Sequence, residues 1–312
     1  MTDRPQVVTS GLPPDVNRTA VTVGSFDGVH RGHQDVLRQL VMRSRKLGVR
    51  SLLVTFDPHP LEVVNPAAAP RLLTVIEEKL EVLAESGLDY VAVLPFTAAL
   101  ASFSAERFVD EILLGRFRMH DLLMGYDHRF GHNRSGDVDT MRRLGQERGF
   151  DVGVVPPVTV DGGQSVSSTA IRRAVAGGDL NGAFDGLGRH YSLGGRVVEG
   201  ARRGRLIGFP TAIVPVPGQR KLMPPEGDYA VRVQTPMGPH DGMLNLGPRP
   251  TFDEDQAVVE AHVFDANLDL YGARVRVDFV ARLRDTQKFN GVEALTAQLK
   301  RDEQTARSIL KR

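Results

Sequence analysis

The sequence contains no cysteine. Disulfides, thiolate nucleophiles and sulfur-ligated zinc or iron sites are therefore excluded, and any metal must be held by oxygen or nitrogen ligands. The chain also lacks an uninterrupted apolar run long enough to cross a bilayer, and its first residues lack the basic and apolar regions of a secretory signal. These absences lead us to expect a cytoplasmic protein without a membrane partner.

A large excess of charge of one sign is missing as well. Lys and Arg number 39 against 38 Asp and Glu, which gives a formal net charge of +1. Such a balance supplies no general basic field for nucleic acid, and the local cluster of Arg202, Arg203 and Arg205 is most simply a solvated face. We therefore expect no nucleic-acid partner. The composition, 41% apolar and 25% charged, is typical of a soluble globular protein.

The length of 312 residues predicts two domains. Through about residue 185, short apolar runs alternate with helical periodicity, which indicates an α/β fold with a parallel sheet covered by helices on both faces. From about Tyr191, frequent Gly and Pro and short β-prone runs indicate a mainly β domain that ends in one helix. We predict domains at 1–186 and 187–312. The predicted strands of the first domain are residues 20–25, 51–56, 90–94, 122–125 and 152–155.

A turn and a helix start follow the first predicted strand. Gly24 and Gly28 flank that turn, and His30 and His33 lie three residues apart where the helix begins, so both can face one pocket at the carboxyl edge of the sheet. Backbone N–H groups at a helix start favour phosphate. Two neighbouring imidazoles there suit stabilisation of a pentacovalent phosphorus and its departing pyrophosphate. A lone histidine is more often an incidental polar residue, so the context of the motif decides.

That context resembles a known family. GSFDGVHRGH is similar to the HxGH motif of nucleotidyltransferases in the form used by bacterial FAD synthetases, and TFDPHP, GYDHRFG and SSTAIR follow in the same order. The resemblance implies a Rossmann-like nucleotidyltransferase domain in which His30, His33 and Arg172 are catalytic, and Asp127 and Phe130 lie near the flavin. It implies nucleotide and phosphate binding by Gly24, Phe26, Asp27, Gly28, His30, His33, Ser167, Ser168, Thr169 and Arg172.

The second half resembles riboflavin kinase. Residues 195–200 and 204–212 are similar to the start of its antiparallel β-barrel, and NLGPRPTF, VEAH, LYG and LRDTQKF agree in spacing and order. The resemblance makes Glu260 the base that accepts a proton from the ribityl hydroxyl. It implies flavin binding by Asn245 and Arg284. It also implies phosphate binding by Gly200, Gly204, Gly208, Pro210 and Thr211. Thr211 would in addition be the ligand of Mg²⁺.

One position departs from the pattern. The kinase motif usually continues Pro-Thr-Ala-Asn, but here the last residue is Ile213, whose apolar side chain cannot ligate Mg²⁺. The leading hypothesis is a bifunctional enzyme that phosphorylates riboflavin to FMN and adenylylates FMN to FAD, with ATP as co-substrate and Mg²⁺ as cofactor. The alternative is an adenylyltransferase only, whose barrel is a weakened kinase or a flavin-binding regulatory module. A third hypothesis is a nucleotide- or flavin-sensing protein without turnover.

Other nucleotide-binding classes fit less well. No GxGxxG follows the first strand and no GxxxxGK[ST] follows any strand, so neither a dinucleotide-binding nor a P-loop fold is indicated. A tRNA synthetase would share an HxGH-like motif, but the domain is too short and a KMSKS-type loop is missing. Members of the resembled family can self-associate. We expect weak self-association at most, because no apolar helix face stands out as an interface.

Overall fold

The structure is a computed structural model that describes residues 4–126, 131, 136–159, 165–199, 207–217, 220–248, 257–266 and 268–311. The chain divides into two compact units. The first unit consists of Met1–Pro70 and Lys79–Ser168, and the second consists of Arg71–Glu78 and Thr169–Arg312. The predicted domain border between residues 186 and 187 stays a prediction.

A parallel sheet of six strands forms the centre of the first unit, in the order β1-β4-β3-β2-β5-β6. All five predicted strands are present, and β1 is an additional short edge strand. Parallel strands buried on both faces are nearly continuous apolar runs, and one apolar cluster covers each face of this sheet. The strands are β1 (Gln6–Val8), β2 (Thr19–Val23), β3 (Arg50–Asp57), β4 (Tyr90–Pro95), β5 (Met119–Gly125) and β6 (Asp151–Val155).

Helices connect these strands, as the predicted doubly wound fold requires. The first, α1, buries Leu37, Leu40 and Val41 and ends at Gly48, whose φ of 66° is a left-handed conformation that favours glycine. The helices in chain order are α1 (Arg31–Leu47), α2 (Pro60–Val64), α3 (Ile76–Leu83), α4 (Ala98–Ala101), α5 (Ala105–Arg107), α6 (Val138–Arg148), α7 (Ser168–Ala176) and α8 (Leu180–Leu187), with a 3₁₀ turn at Pro66–Ala68 and a π-helical segment at Phe108–Arg116.

The second unit contains an antiparallel sheet of six strands in the order β7-β12-β9-β10-β11-β8. A bridge between Val198 and Ile213 links the two ends of this order, so the sheet is a nearly closed barrel, as predicted. The strands are β7 (Tyr191–Arg196), β8 (Ala212–Pro215), β9 (Gly227–Thr235), β10 (Gly238–Pro248), β11 (Ala257–Val263) and β12 (Arg274–Arg284).

The predicted C-terminal helix is α9 (Val292–Leu310). Its residues Ala306 and Leu310 pack with Phe209, Met243 and Phe264 of the barrel unit, which buries one apolar face of the helix. Across the described residues, no helix combines the length and the apolar character that a membrane span would need.

A segment from the first half of the sequence, Arg71–Glu78, belongs to the second unit. Its Leu72 pairs with Lys221, and the Lys221 side chain is fully buried. The Lys221 ammonium donates to the carboxylate of Glu78 at 2.7 Å and to the carbonyl oxygens of Leu73 and Ser192 at 2.8 and 2.9 Å. Sequence patterns did not predict that this segment belongs to the second unit, because a short extended segment between two helices carries no periodic signal.

Candidate active sites

A cavity of about 260 Å³ lies at the carboxyl end of the parallel sheet, the usual ligand site of such folds. Residues from the ends of β2, β5 and β6, from the start of α1 and from the segment before α7 line it. Several residues of the predicted nucleotide site are among them, namely Gly24, Phe26, His30, His33, Ser167 and Ser168. Asp127 and Phe130, predicted near the flavin, lie outside the described residues.

The turn between β2 and α1 has an unusual backbone. Phe26, Gly28 and Val29 have φ angles of 47°, 80° and 39°, and only glycine adopts such angles without strain. Phe26 and Val29 are almost fully buried, so packing holds the two non-glycine residues in this conformation. The turn brings the chain from the end of β2 directly to His30.

His30 and His33 form a stacked pair at the start of α1. His30 caps the helix, and its Nδ1 accepts a hydrogen bond from the backbone N–H of His33 at 3.3 Å. Because Nδ1 accepts, a neutral His30 carries its proton on Nε2. The two ring centroids are 3.6 Å apart at an interplanar angle of 17°, and the Phe26 ring lies 4.6 Å from that of His33. The pair thus presents two imidazoles to one cavity.

The SSTAIR segment starts at the same cavity. The hydroxyl of Ser168 donates to the carbonyl of Asp27 at 3.0 Å, which joins the start of α7 to the turn after β2. Asp27 is buried, with 2% of its surface exposed. Thr169 and Arg172 belong to the second unit, where the Nε of Arg172 donates to the carbonyl of Arg71 at 3.0 Å.

One charged side chain beneath the turn after β2 was not predicted. Lys79 of α3 is 6% exposed, and its ammonium donates to the carbonyl of Ser25 at 2.7 Å and to the hydroxyl of Thr55 at 3.4 Å. Burial lowers the pKa of Lys79 below its ordinary value, although the carboxylates of Asp27 and Asp57 favour the charged form. A signal was available in the sequence, since Lys79 lies among Ile76, Leu80 and Leu83, apolar residues that recur at helical spacing.

In the barrel, five side chains form one row across neighbouring strands. Glu260 of β11 lies opposite Ile213 of β8 and opposite Asn245 of β10, Asn245 pairs with Asp228 of β9, and Asp228 pairs with Arg284 of β12. Residues paired in register point to the same face of a sheet. The predicted base Glu260, the predicted flavin ligands Asn245 and Arg284, and the departing residue Ile213 therefore share one face.

Hydrogen bonds connect most of this row. The amide of Asn245 donates to Asp228 at 3.1 Å, and Nη1 of Arg284 lies 2.8 Å from the second oxygen of Asp228. Arg284 also donates through Nε and Nη2 to Asp302 of α9, at 2.9 and 2.8 Å. Burial raises the pKa of Asp228, against the opposing effects of Asn245 and Arg284. Asp228 and Asp302 were missed, although Asp302 lies on the apolar face of a predicted helix.

Thr211 lies beside a smaller cavity of about 50 Å³, which Pro210, Leu270 and Tyr271 also line. Its hydroxyl can offer one oxygen ligand, whereas Ile213, which is 6% exposed, offers none. Among the described residues, no group of three His, Cys, Asp or Glu side chains could hold a metal ion. One hydroxyl fits Mg²⁺ that arrives with nucleotide phosphates, since this ion usually keeps few protein ligands.

Gly208 has a left-handed φ of 82°, and Gly200 and Gly204 lie outside the described residues.

Comparison with known proteins matches both halves. Residues 12–170 match the family model of FAD synthetase, and residues 187–310 match that of riboflavin kinase. The chain is 40% identical over 291 residues to the bifunctional riboflavin kinase/FMN adenylyltransferase of Escherichia coli strain K12, covering 93% of this chain and 92% of that one. The chain belongs to the bifunctional riboflavin kinase/FMN adenylyltransferase family. The family member of Pseudomonas fluorescens is 38% identical, with 96% and 95% of the two chains covered.

A solved structure is also similar to this member of the riboflavin kinase/FMN adenylyltransferase family. It is titled as a macrolide-efflux protein from Streptococcus pneumoniae, has a TM-score of 0.83 and 30% sequence identity, and covers 97% of this chain and 98% of its own. That name describes the pneumococcal protein alone. For this chain, the similarity supports the folds of both units.

Proposed function

We propose that this protein is a bifunctional enzyme that makes FMN from riboflavin and FAD from FMN, using ATP in both reactions. The observation that carries the proposal is that each family-matched region contains its own group of polar side chains. The region 12–170 holds the stacked His30 and His33 beside a cavity, and the region 187–310 holds Glu260 in a row with Asn245 and Arg284.

In adenylyl transfer, a phosphate oxygen of FMN attacks the α-phosphorus of ATP. The bond from that phosphorus to the bridging oxygen breaks, and pyrophosphate leaves with the electron pair. FMN phosphate is already an anion, so positioning and charge stabilisation suffice and no strong base is needed. His30 and His33 stabilise the crowded phosphorus, while Ser167, Ser168, Thr169 and Arg172 hold the departing phosphates. Support comes from Ser167 and Ser168, which line the same cavity as His30 and His33.

In riboflavin phosphorylation, the terminal ribityl hydroxyl attacks the γ-phosphorus and ADP leaves. The hydroxyl proton passes to Glu260, because a neutral alcohol is a poor nucleophile until its proton is accepted. Asn245 and Arg284 orient the flavin, and Gly208 and Pro210 border the phosphates. Glu260 of β11 is paired in register with Asn245 of β10. This pairing supports the proposal that the base and a flavin ligand serve one site.

Mg²⁺ is part of the proposal for the barrel site, where Thr211 would hold it with the phosphates of ATP. When bound, the ion neutralises charge on the phosphoryl group that is transferred. Ile213 contributes no ligand. The other ligands would then be phosphate oxygens and water, which suits an ion that gives up its hydration reluctantly.

The proposal also covers the domain that carries each activity, the cellular compartment and the partners. We place adenylyl transfer in domain 1–186 and the kinase in domain 187–312, in a cytoplasmic enzyme whose partners are riboflavin, FMN and ATP. The net charge of +1 supports the lack of a nucleic-acid partner. The lack of a membrane partner and, at most, weak self-association are parts of the same proposal.

Single substitutions test the division between the two sites. His30→Ala should lower FAD formation by about 100-fold or more while FMN still accumulates from riboflavin, because it removes a donor to the transition state. Glu260→Ala should do the reverse, with FMN supplied as substrate giving FAD at the wild-type rate. Chromatographic separation of the flavins measures both reactions. Loss of both activities from each folded variant would contradict the division.

A further inference from the structure

The ammonium of Lys79 contacts Ser25, the second residue after β2. Its distance to the carbonyl oxygen of Ser25 is 2.7 Å. The hydroxyl of Thr55 donates to the same carbonyl at 3.1 Å. Lys79, Ser25 and Thr55 all belong to the first unit. A buried cation therefore holds the peptide group that leads into the left-handed turn at Phe26.

This contact fixes the direction of a backbone donor. In a trans peptide the N–H points opposite to the C=O, so a Ser25 carbonyl directed at Lys79 sends the N–H of Phe26 to the other side of the peptide plane. Among the described residues, the Phe26 N–H has no hydrogen-bond acceptor. Phe26 lines the cavity together with His30, and an anion bound there would find that donor available.

Stability alone does not account for a lysine at this position. Leu80 and Leu83 of α3 pack in an apolar cluster of the first unit, and an apolar residue at position 79 would lie beside them on the helix. The Ser25 carbonyl would keep the hydroxyl of Thr55 as its partner. Burying an ammonium is costly, and its lowered pKa reflects that cost. A costly cation beside a reactive turn indicates a role in the reaction.

We propose that Lys79 is a positioning residue for adenylyl transfer, which holds the Ser25–Phe26 peptide so that the N–H of Phe26 faces the phosphates of ATP. The proposal rests on the proposed FAD-forming activity. Lys79 acts through the backbone and does not touch the substrate. It should therefore affect the use of ATP and leave the use of FMN and the kinase reaction unchanged.

The test uses full-length wild-type protein and the variants Lys79→Met, Lys79→Arg and Lys46→Met. Lys46 is an exposed lysine in the last turn of α1 and serves as the matched control. FAD formation from FMN by the wild type is established first, because its absence would refute the proposed function and not the role of Lys79. For each variant, kcat and KM are then measured for ATP and for FMN, together with the rate of riboflavin phosphorylation.

For Lys79→Met we expect kcat/KM for ATP to fall by about tenfold or more, with KM for FMN and the kinase rate within about twofold of the wild type. Lys79→Arg should recover part of the loss, because it restores a cationic donor, and Lys46→Met should match the wild type. An unchanged kcat/KM for ATP in folded Lys79→Met would overturn the proposal. So would an equal loss of both activities, since Lys79 would then serve only the stability of the chain.

Discussion

At the scale of single residues, Ile213 is the side chain that sets this chain apart from its family pattern. It lies in β8, two residues after Thr211, and pairs in register with Glu260, so its side chain shares a face with the proposed base. Its burial at 6% exposure shows that it packs as an apolar residue. Where the resembled kinase motif has an asparagine, Ile213 presents only an apolar surface, which cannot ligate Mg²⁺.

Ile213→Asn should therefore lower the Mg²⁺ concentration that gives half-maximal riboflavin phosphorylation, by about threefold to tenfold if one ligand is gained. Titration of the kinase rate with Mg²⁺ at fixed ATP measures the change. Ile213→Val, which keeps an apolar β-branched side chain, is the control and should titrate like the wild type. An asparagine variant with unaltered metal dependence would show that this position does not reach the ion.

Residues with strong chemical signatures could be predicted from sequence, whereas their partners could not. His30, His33, Glu260 and Arg284 stand in motifs whose spacing is visible along the chain. Lys79, Asp228 and Asp302 act through contacts distant in sequence. Asp228, for example, lies 17 residues from its partner Asn245. Such partnerships depend on strand register, which follows only from the folded sheet.

At the scale of elements, the start of α1 combines helix formation with the placement of His30. Gly32 lies in the first turn, and a Cβ atom added there would be 3.2 Å from Cε1 and Nδ1 of His30. Alanine favours a helix over glycine by about 1 kcal/mol. The glycine therefore leaves room for the stacked imidazoles at the expense of helix stability.

Gly32→Ala should keep the fold and yet displace the His30 ring. We expect FAD formation to fall by about fivefold to 50-fold, since small displacements at a reacting centre are costly, while the temperature of unfolding stays level or rises. Flavin assays and thermal unfolding measure the two quantities. Met42→Ala, at an exposed position of the same helix, is the control. Full activity in Gly32→Ala would mean that the observed position of His30 is not required.

The elements themselves were largely predictable. Buried strands such as β2 and β3 are continuous apolar runs, so their positions follow from the sequence. The edge strand β1 was missed because it has three residues, of which two are exposed. The left-handed φ angles of Phe26 and Val29 were also beyond prediction, since non-glycine residues adopt them only where packing holds them.

At the scale of the whole molecule, the two compact units are not two continuous halves of the sequence. The segment Arg71–Glu78 lies between strands β3 and β4 of the first unit along the chain and yet belongs to the second. Glu78 and Leu73 supply partners to the buried ammonium of Lys221. The backbone N–H of Gly194 also donates to Glu78, at 2.9 Å. A fragment that starts at residue 187 would lack these groups.

Such a fragment of residues 187–312 should be less stable than its counterpart in the full chain, by about 3–5 kcal/mol for the broken buried pair. Lys221→Met should stabilise the fragment, because it removes a poorly paired buried charge. The same change should destabilise the full chain, where Glu78 would lose its partner. Urea unfolding of the four proteins measures the sign in each context. An equal effect of Lys221→Met in both would contradict this role for the segment.

The measurement that tests the central claim most directly is a time course of the wild-type protein with riboflavin and Mg-ATP, in which flavins and pyrophosphate are quantified. We expect riboflavin to decline, FMN to appear first, and FAD to accumulate with one pyrophosphate released for each FAD. A parallel reaction started with FMN should give FAD without delay. If riboflavin stayed unchanged while FMN gave FAD, the chain would be an adenylyltransferase only, and the claim of two activities would be wrong.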